Sequence, residues 1–367
     1  MESKKERNNI IDVMKGIMIL FVVIYHLIYR NKGSLFDDIV REMIYLSMPL
    51  FFCLAGYFYR DKEGSFFQNF VGRLKRLLIP SLVCTLVLLI VLRPYYVLTH
   101  SEYTLNNWLT DFLMTYLRPE LMAVISPDAT GEVLFNNISP VWFIWALFFA
   151  TIIFYLVMNF VRNDSRKLII LTVIFLIAGI IIYEFTPKLS WSLNLAPLYA
   201  GIMMTGVIIK KYNVVEKLGS INLGISCIIM VICAVLHYII FNKLGSDLIY
   251  MSILGDKPYI SSILFIIQIF IGGFVLLSVS RLISLSSAVN SAFSWVGRHT
   301  LTILLFHCVI AGLVVDALHT YNKPGPDWYV DPLTAEIVIK SIISFIIGLG
   351  GSIGLCILND KIKNKHK

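Results

Sequence analysis

Met14-Lys15-Gly16-Ile17-Met18-Ile19-Leu20-Phe21-Val22-Val23-Ile24-Tyr25-His26-Leu27-Ile28-Tyr29 decides the architecture of this chain. The run is apolar and close to the roughly 17–20 residues that cross a bilayer as a helix. It is entered through Lys4, Lys5 and Arg7 and left through Arg30 and Lys32. No small-residue cleavage site follows it, so an uncleaved first transmembrane helix is expected rather than a secretory signal. Lys15 marks one interface, and His26 lies eleven residues on. At 1.5 Å per residue that is ~16 Å, about halfway through a ~30 Å hydrocarbon core.

Working outward, comparable runs recur at about 43–59, 77–92, 141–160, 168–183, 195–209, 221–241, 260–279, 300–316 and 337–358. Apolar residues make up 57% of the chain and charged ones 15%. A soluble domain carries roughly 25% charged residues, so a water-facing globule is excluded. The expected fold is an all-α integral membrane protein of about ten transmembrane helices, forming a single membrane domain over residues 1–367. Placing the N-terminus in the cytoplasm puts 21 of the 31 Lys and Arg on the inner side and 15 of the 23 Asp and Glu on the outer side. That excess of inner cations is the expected topology signal, and it puts both termini in the cytoplasm. The longest loop, about 94–140, then faces outward as a cap with a short helix around Leu105–Tyr116.

The net charge of +8 does not indicate nucleic acid. The cations lie in short clusters between apolar runs, and no soluble stretch is long enough for a contiguous basic face. Cys53, Cys84, Cys227, Cys233, Cys308 and Cys356 all fall in apolar segments without metal-ligand spacing. They read as small packing residues.

Ionisable residues within spans cost roughly 2.5–3.5 kcal/mol each when charged, so each needs an account. His307 lies nine residues past Arg298, ~14 Å into the ninth helix. It therefore matches His26 in depth on a helix of the same orientation, and the two could line one cavity. His237 lies nearer the outer surface and reads as a packing or interfacial histidine. A mid-membrane imidazole can take and return a proton near neutral pH, either as a general base in acyl transfer or as a proton relay in a transporter.

On the cytoplasmic side, Arg73 and Arg76 stand three apart in Phe70-Val71-Gly72-Arg73-Leu74-Lys75-Arg76-Leu77-Leu78-Ile79-Pro80. If helical, they share a face and could hold phosphates bidentately; as a bland alternative they are positive-inside anchors. No phosphate loop, zinc-hydrolase or serine-hydrolase motif is present. A transporter, flippase or glycan polymerase is the competing class. It would more typically show acids inside spans, and the apolar runs are almost free of them.

Taken in order, these motifs resemble the acyltransferase family 3 membrane proteins, nearest the fucose 4-O-acetylase-like and exopolysaccharide-modifying subgroup. Asp12-Val13-Met14-Lys15-Gly16 leading to His26 is similar to the family's first helix, with Lys15 where Arg is commoner. Pro49-Leu50-Phe51-Phe52-Cys53-Leu54-Ala55-Gly56 resembles its second helix, with Ala55 where Ser is usual. Arg73-Leu74-Lys75-Arg76 before Pro80 resembles its cytoplasmic Arg-x-x-Arg motif. Gly297-Arg298-His299-Thr300-Leu301 through His307 looks like its late histidine-bearing helix.

The resemblance implies transfer of an acyl group, usually acetyl from acetyl-CoA, to a hydroxyl of a sugar, cell-surface polysaccharide or lipid-linked glycan. It implies a bacterial cytoplasmic membrane and no metal. It assigns His26 as catalytic base, Asp12 with Lys15 as a supporting pair at the cytoplasmic mouth, and His307 beside them. Arg73 and Arg76 become the acyl-CoA contact.

Overall fold

In the computed structural model, residues 9–28, 31, 34–60, 66–83, 86, 90, 141–162, 164–186, 189–244, 258–317 and 334–365 are described. Their regular structure is helical throughout, and no strand occurs among them. The chain is an all-α membrane protein. Among the described residues, eight helices are long and apolar enough to cross a bilayer by length and composition. The run expected at 77–92 passes into residues outside the described set, as do the loop at 94–140 and its cap helix.

Two compact units share the chain. The first comprises Met1–Leu50, Asn213–His307 and Val330–Lys367; the second comprises Phe51–Tyr212 and Cys308–Tyr329.

The first unit is organised around α1 (Asn9–Leu27). Its most apolar 18-residue window has a mean hydropathy of 2.1, and 67% of that window is buried inside the protein. By contrast, in α8 (Leu223–Leu244) the spanning stretch is more apolar still, at 2.6, yet only 11% buried. Exposed Ile225, Ile228, Ile232, Val235 and Ile239 make α8 a helix that meets lipid, whereas α1 meets protein. Helices α9 (Pro258–Ile283), α10 (Ser287–Arg298) and α12 (Ala335–Lys365) pack around α1.

Helix α10 is polar enough that hydropathy does not reveal it, and it crosses α1 most closely of the three. Glycines permit that approach. A Cβ on Gly297 would overlap the Asp12 carbonyl, and one on Gly16 would overlap the Phe293 carbonyl. Backbone cannot yield as a side-chain tip can, so both positions require glycine.

Helix α2 (Leu35–Tyr57) corrects one expectation. It starts two turns before the apolar run at 43, and these turns carry Asp37, Asp38, Arg41 and Glu42. Ser34 caps it, its hydroxyl accepting from the Asp37 backbone N–H at 3.1 Å. Asp37 and Arg41, i and i+4 on one face, approach to 3.9 Å with both side chains buried. The second helix is therefore not free of acids; charge pairing within the helix lets it begin where hydropathy alone would not start it.

In the second unit, α3 (Phe66–Arg73) runs into a π-helical turn, Leu74–Leu78. It packs against α4 (Val141–Val161), which also contacts α6 (Ala196–Lys211). Helix α5 (Ser165–Phe185) is capped by Asp164, whose carboxylate accepts from the backbone N–H of Arg166 and Lys167. Those bonds, the one from Lys167 foremost, hold the exposed Asp164 carboxyl below the usual carboxylate range.

A 3₁₀ segment, Ser190–Leu195, leads into α6, with Trp191 and Ser192 at φ of 60° and 55°. Trp191 stacks on Trp145 of α4, contact that offsets the cost of the left-handed backbone. Gly56, late in α2, and Gly206 of α6 let the two helix backbones touch. The remaining helices are α7 (Val214–Gly219) in the first unit and α11 (Thr300–Ala317), which begins in the first unit and ends in the second.

Candidate active site

At the start of α1, Asp12 and Lys15 fall i and i+3 and form an ion pair of 2.7 Å, with the Asp12 side chain wholly buried. The close α1–α10 crossing closes over Asp12, so the Asp-x-x-Lys-Gly and Gly-Arg-His motifs meet as one packed junction. Lys15 offers a point charge rather than a planar fork, which suits a single short contact to one carboxylate oxygen.

His26 and His307 come together as their matched depths predict. His307 Nε2 lies 3.4 Å from His26 Nδ1, and the ring centroids are 5.3 Å apart at an interplanar angle of 56°. His307 is fully buried. Each ring has its Nδ1 against a carbonyl one helical turn back: His26 to Val22 at 2.7 Å and His307 to Ile303 at 2.8 Å. A carbonyl only accepts, so each Nδ1 carries the proton and, in the neutral ring, the lone pair falls on Nε2. His307 Nε2 therefore faces a proton shared by His26 Nδ1 and the Val22 carbonyl. The pair is built so that a proton gained by His26 at Nε2 meets an acceptor on its far side.

Arg73 and Arg76 belong to the second unit and have different surroundings. Arg73 is half-buried and donates from its guanidinium to the Tyr155 hydroxyl at 3.0 Å. Arg76 is exposed. The π-helical turn that starts at Leu74 widens the angle between positions three apart, so the shared α-helical face expected of them is not formed. Tyr155, in α4, was not singled out from sequence; nothing marks one tyrosine in an apolar helix until its partner is known.

A cavity of about 470 Å³ opens where α10, α11 and α12 meet, lined among others by Trp295, Arg298, His299, Asp360 and Lys363. His299 is fixed there, with Nε2 2.9 Å from Asp360 and its ring tilted 33° against Trp295 at a centroid distance of 4.2 Å. Among the described residues no three of His, Cys, Asp and Glu converge as metal ligands. Cys53, Cys227, Cys233 and Cys356 are free thiols within helices.

Comparison with known families adds the decisive observation. The acyltransferase domain of acyltransferase family 3 matches residues 8–358, nearly the whole chain. The chain belongs to this family. No curated protein and no solved structure matches it. The membership makes this a membrane acyltransferase, with an acyl donor and an acceptor. In this acyltransferase the family match embraces both units, and it includes the Asp12–Lys15 junction, the His26–His307 pair and the Arg73–Arg76 segment alike.

Proposed function

We propose that this acyltransferase moves an acetyl group from cytosolic acetyl-CoA to a hydroxyl of a sugar, cell-surface polysaccharide or lipid-linked glycan, in a bacterial cytoplasmic membrane, with His26 as general base. The contact between half-buried His26 and buried His307 carries this reading: an imidazole pair in which Nδ1 of His26 is held on the Val22 carbonyl, which puts the neutral ring's lone pair on Nε2.

His26 Nε2 takes the acceptor's hydroxyl proton as that oxygen bonds to the thioester carbonyl carbon. The tetrahedral intermediate then collapses with cleavage of the carbon–sulfur bond. The CoA sulfur leaves and recovers the proton from His26, so the base is regenerated. His307 Nε2 stabilises the transient imidazolium through the shared Nδ1 proton. Asp12 and Lys15 support the start of the helix that carries His26. Arg73 and Arg76 bind the phosphates of CoA, with Tyr155 fixing one edge of the Arg73 guanidinium and leaving further N–H groups for phosphate.

The test is transfer of label from acetyl-CoA to carbohydrate in membranes that contain the full chain, with succinyl-CoA run beside it to define the acyl group. Base catalysis is worth ~10²–10⁴-fold, so His26→Ala should reduce labelling by that factor. Retention of full labelling by His26→Ala ends the proposal. Arg73→Ala with Arg76→Ala should raise the KM for acetyl-CoA by about tenfold or more, since each removes a charge-assisted hydrogen bond. An unchanged KM removes the arginines from donor binding.

A further inference from the structure

The cavity of about 470 Å³ between α10, α11 and α12 lies wholly within the first unit, and the proposed reaction makes no use of it. Its place in the membrane follows from the lengths of its walls. Helix α10 has 12 residues, too few to cross a bilayer, and it follows the spanning helix α9 after a short turn. It therefore lies at the membrane face where α9 ends. Arg281 closes α9 there, and Lys361, Lys363 and Lys365 close α12. Cations gathered in this way mark the cytoplasmic face.

The lining side chains fix the sign of the ligand. Arg298 and Lys363 are exposed cations on the wall of the cavity. Arg298 donates to the Ser294 hydroxyl at 3.4 Å, and neither cation pairs with an acid among the described residues. The one lining carboxylate, Asp360, is already engaged by His299 at 2.9 Å. Two cations against one carboxylate leave positive charge in excess, whichever way the proton of His299 lies. An anion is the complement of such a wall.

The surroundings fix the kind of anion. Asn359 and Lys363 of α12, at i and i+4, line the cavity. Leu358 and Ile362, each one residue earlier, are 55% and 49% exposed, and with Leu355 they form an apolar stripe beside the cavity-lining face. A chain of CH₂ groups leaving the cavity finds that stripe next to it. Trp295 also lines the cavity, and its indole is a side chain favoured at headgroup level. A free phosphate ester would use only the cations. A phosphate carried on acyl chains uses the cations and the stripe together.

We propose that this cavity binds the phosphate headgroup of an anionic phospholipid, held by Arg298 and Lys363, with its acyl chains against Leu355, Leu358 and Ile362. Basic pockets between helix ends on the cytoplasmic side are suited to such headgroups. The site is independent of the acyl donor, the acceptor and the base.

Binding is read as the thermal shift of the full-length protein in dodecyl maltoside. The titrants are dioleoyl phosphatidylglycerol, dioleoyl phosphatidylcholine, inorganic phosphate and CoA. Phosphatidylglycerol should raise the melting temperature saturably, and at lower concentration than phosphatidylcholine with the same chains. Arg298→Gln with Lys363→Gln should weaken its apparent affinity by about tenfold or more. Lys361→Gln with Lys365→Gln removes the same charge from the same membrane face outside the cavity, and should weaken it by less than about twofold. Should the first double variant fail to accumulate, Lys363→Gln alone, at an exposed position, is required to weaken it by about threefold or more.

Equal losses in the two double variants would show a diffuse surface attraction and overturn the site. So would an unaltered affinity in folded Arg298→Gln with Lys363→Gln, or no shift with phosphatidylglycerol. A shift that needs Arg298 and Lys363 but is produced by CoA or inorganic phosphate, and not by phosphatidylglycerol, would make the cavity a site for soluble phosphate and overturn the lipid.

Discussion

The first unit contains two polar sites built around histidine, and they treat the same chemical problem in opposite ways. At His26 and His307, each ring satisfies its Nδ1 on a carbonyl of its own helix, and the rings then meet. At His237, the ring approaches the Glu42 carboxylate of another helix, and neither ring nitrogen makes a hydrogen bond. The first arrangement is closed on itself and poised to handle one proton. The second sets an imidazole against an acid drawn from another helix. The comparison teaches that histidine in a membrane interior is read by where its second nitrogen goes, rather than by its depth.

The sharpest way to break this division is to ask whether kcat separates the sites. His26→Ala should lower kcat for acetyl transfer by ~10²–10⁴-fold. Glu42→Gln, away from the proposed base, should leave kcat within about a factor of two. Should Glu42→Gln depress kcat as deeply as His26→Ala does, the two sites are one catalytic device and the distinction fails. A smaller effect is expected at His307. His307→Phe keeps the ring but removes the acceptor for the His26 proton, a hydrogen bond to a group that becomes charged, and should lower kcat roughly 10–100-fold. His307→Gln, which restores an acceptor, should recover part of that loss; a purely packing role would predict the opposite order, with Phe the better tolerated.

Much of the closed site was legible in the sequence because it is written in regular helical intervals. Lys15 to His26 and Arg298 to His307 give similar depths, and helical rise converts those spacings directly into position. The His237 site was not legible, for two physical reasons. Hydropathy places the start of the second span at 43, because Asp37, Asp38, Arg41 and Glu42 look like loop; the helix nonetheless begins at Leu35. Those charges are tolerated because Asp37 pairs with Arg41 and Glu42 with His237, and the second of those pairings is tertiary. Arg73 and Arg76 fall between these cases: their spacing was plain, but the π-helical turn that separates them depends on packing, which a single sequence does not display.

Glycine substitutions compare the rigidity of the two sites. A Cβ on Gly297 would strike the Asp12 backbone beneath the closed site, and one on Gly272 would strike only the tips of Leu46 and the His237 ring. Gly297→Ala should therefore cost stability near the upper end of the ~1–3 kcal/mol typical of overpacking, seen as a lower melting temperature in detergent. Gly272→Ala should cost under ~1 kcal/mol, since the side chains can move and alanine regains ~0.5–1 kcal/mol of helix propensity. Equal destabilisation by both substitutions would show the His237 site to be as rigid as the closed one.

The smallest expected effect is a control for any pH series run on these sites, since acidification will act on groups elsewhere as well. Asp164 caps α5 outside both sites, with its carboxylate held below the ordinary range by the backbone N–H of Lys167 and then of Arg166. A carboxyl lowered in the folded state binds fewer protons there than in the unfolded chain. Its stabilising contribution is therefore complete above the unfolded value of about 3.9 and disappears as pH falls through the lower folded value. Asp164→Asn keeps a capping oxygen but cannot titrate. Melting temperatures of the wild type and this variant should run parallel from pH 5 to 8 and converge slightly below pH 4. A divergence above pH 5 would have to come from another group, and the histidine sites would be the first place to look.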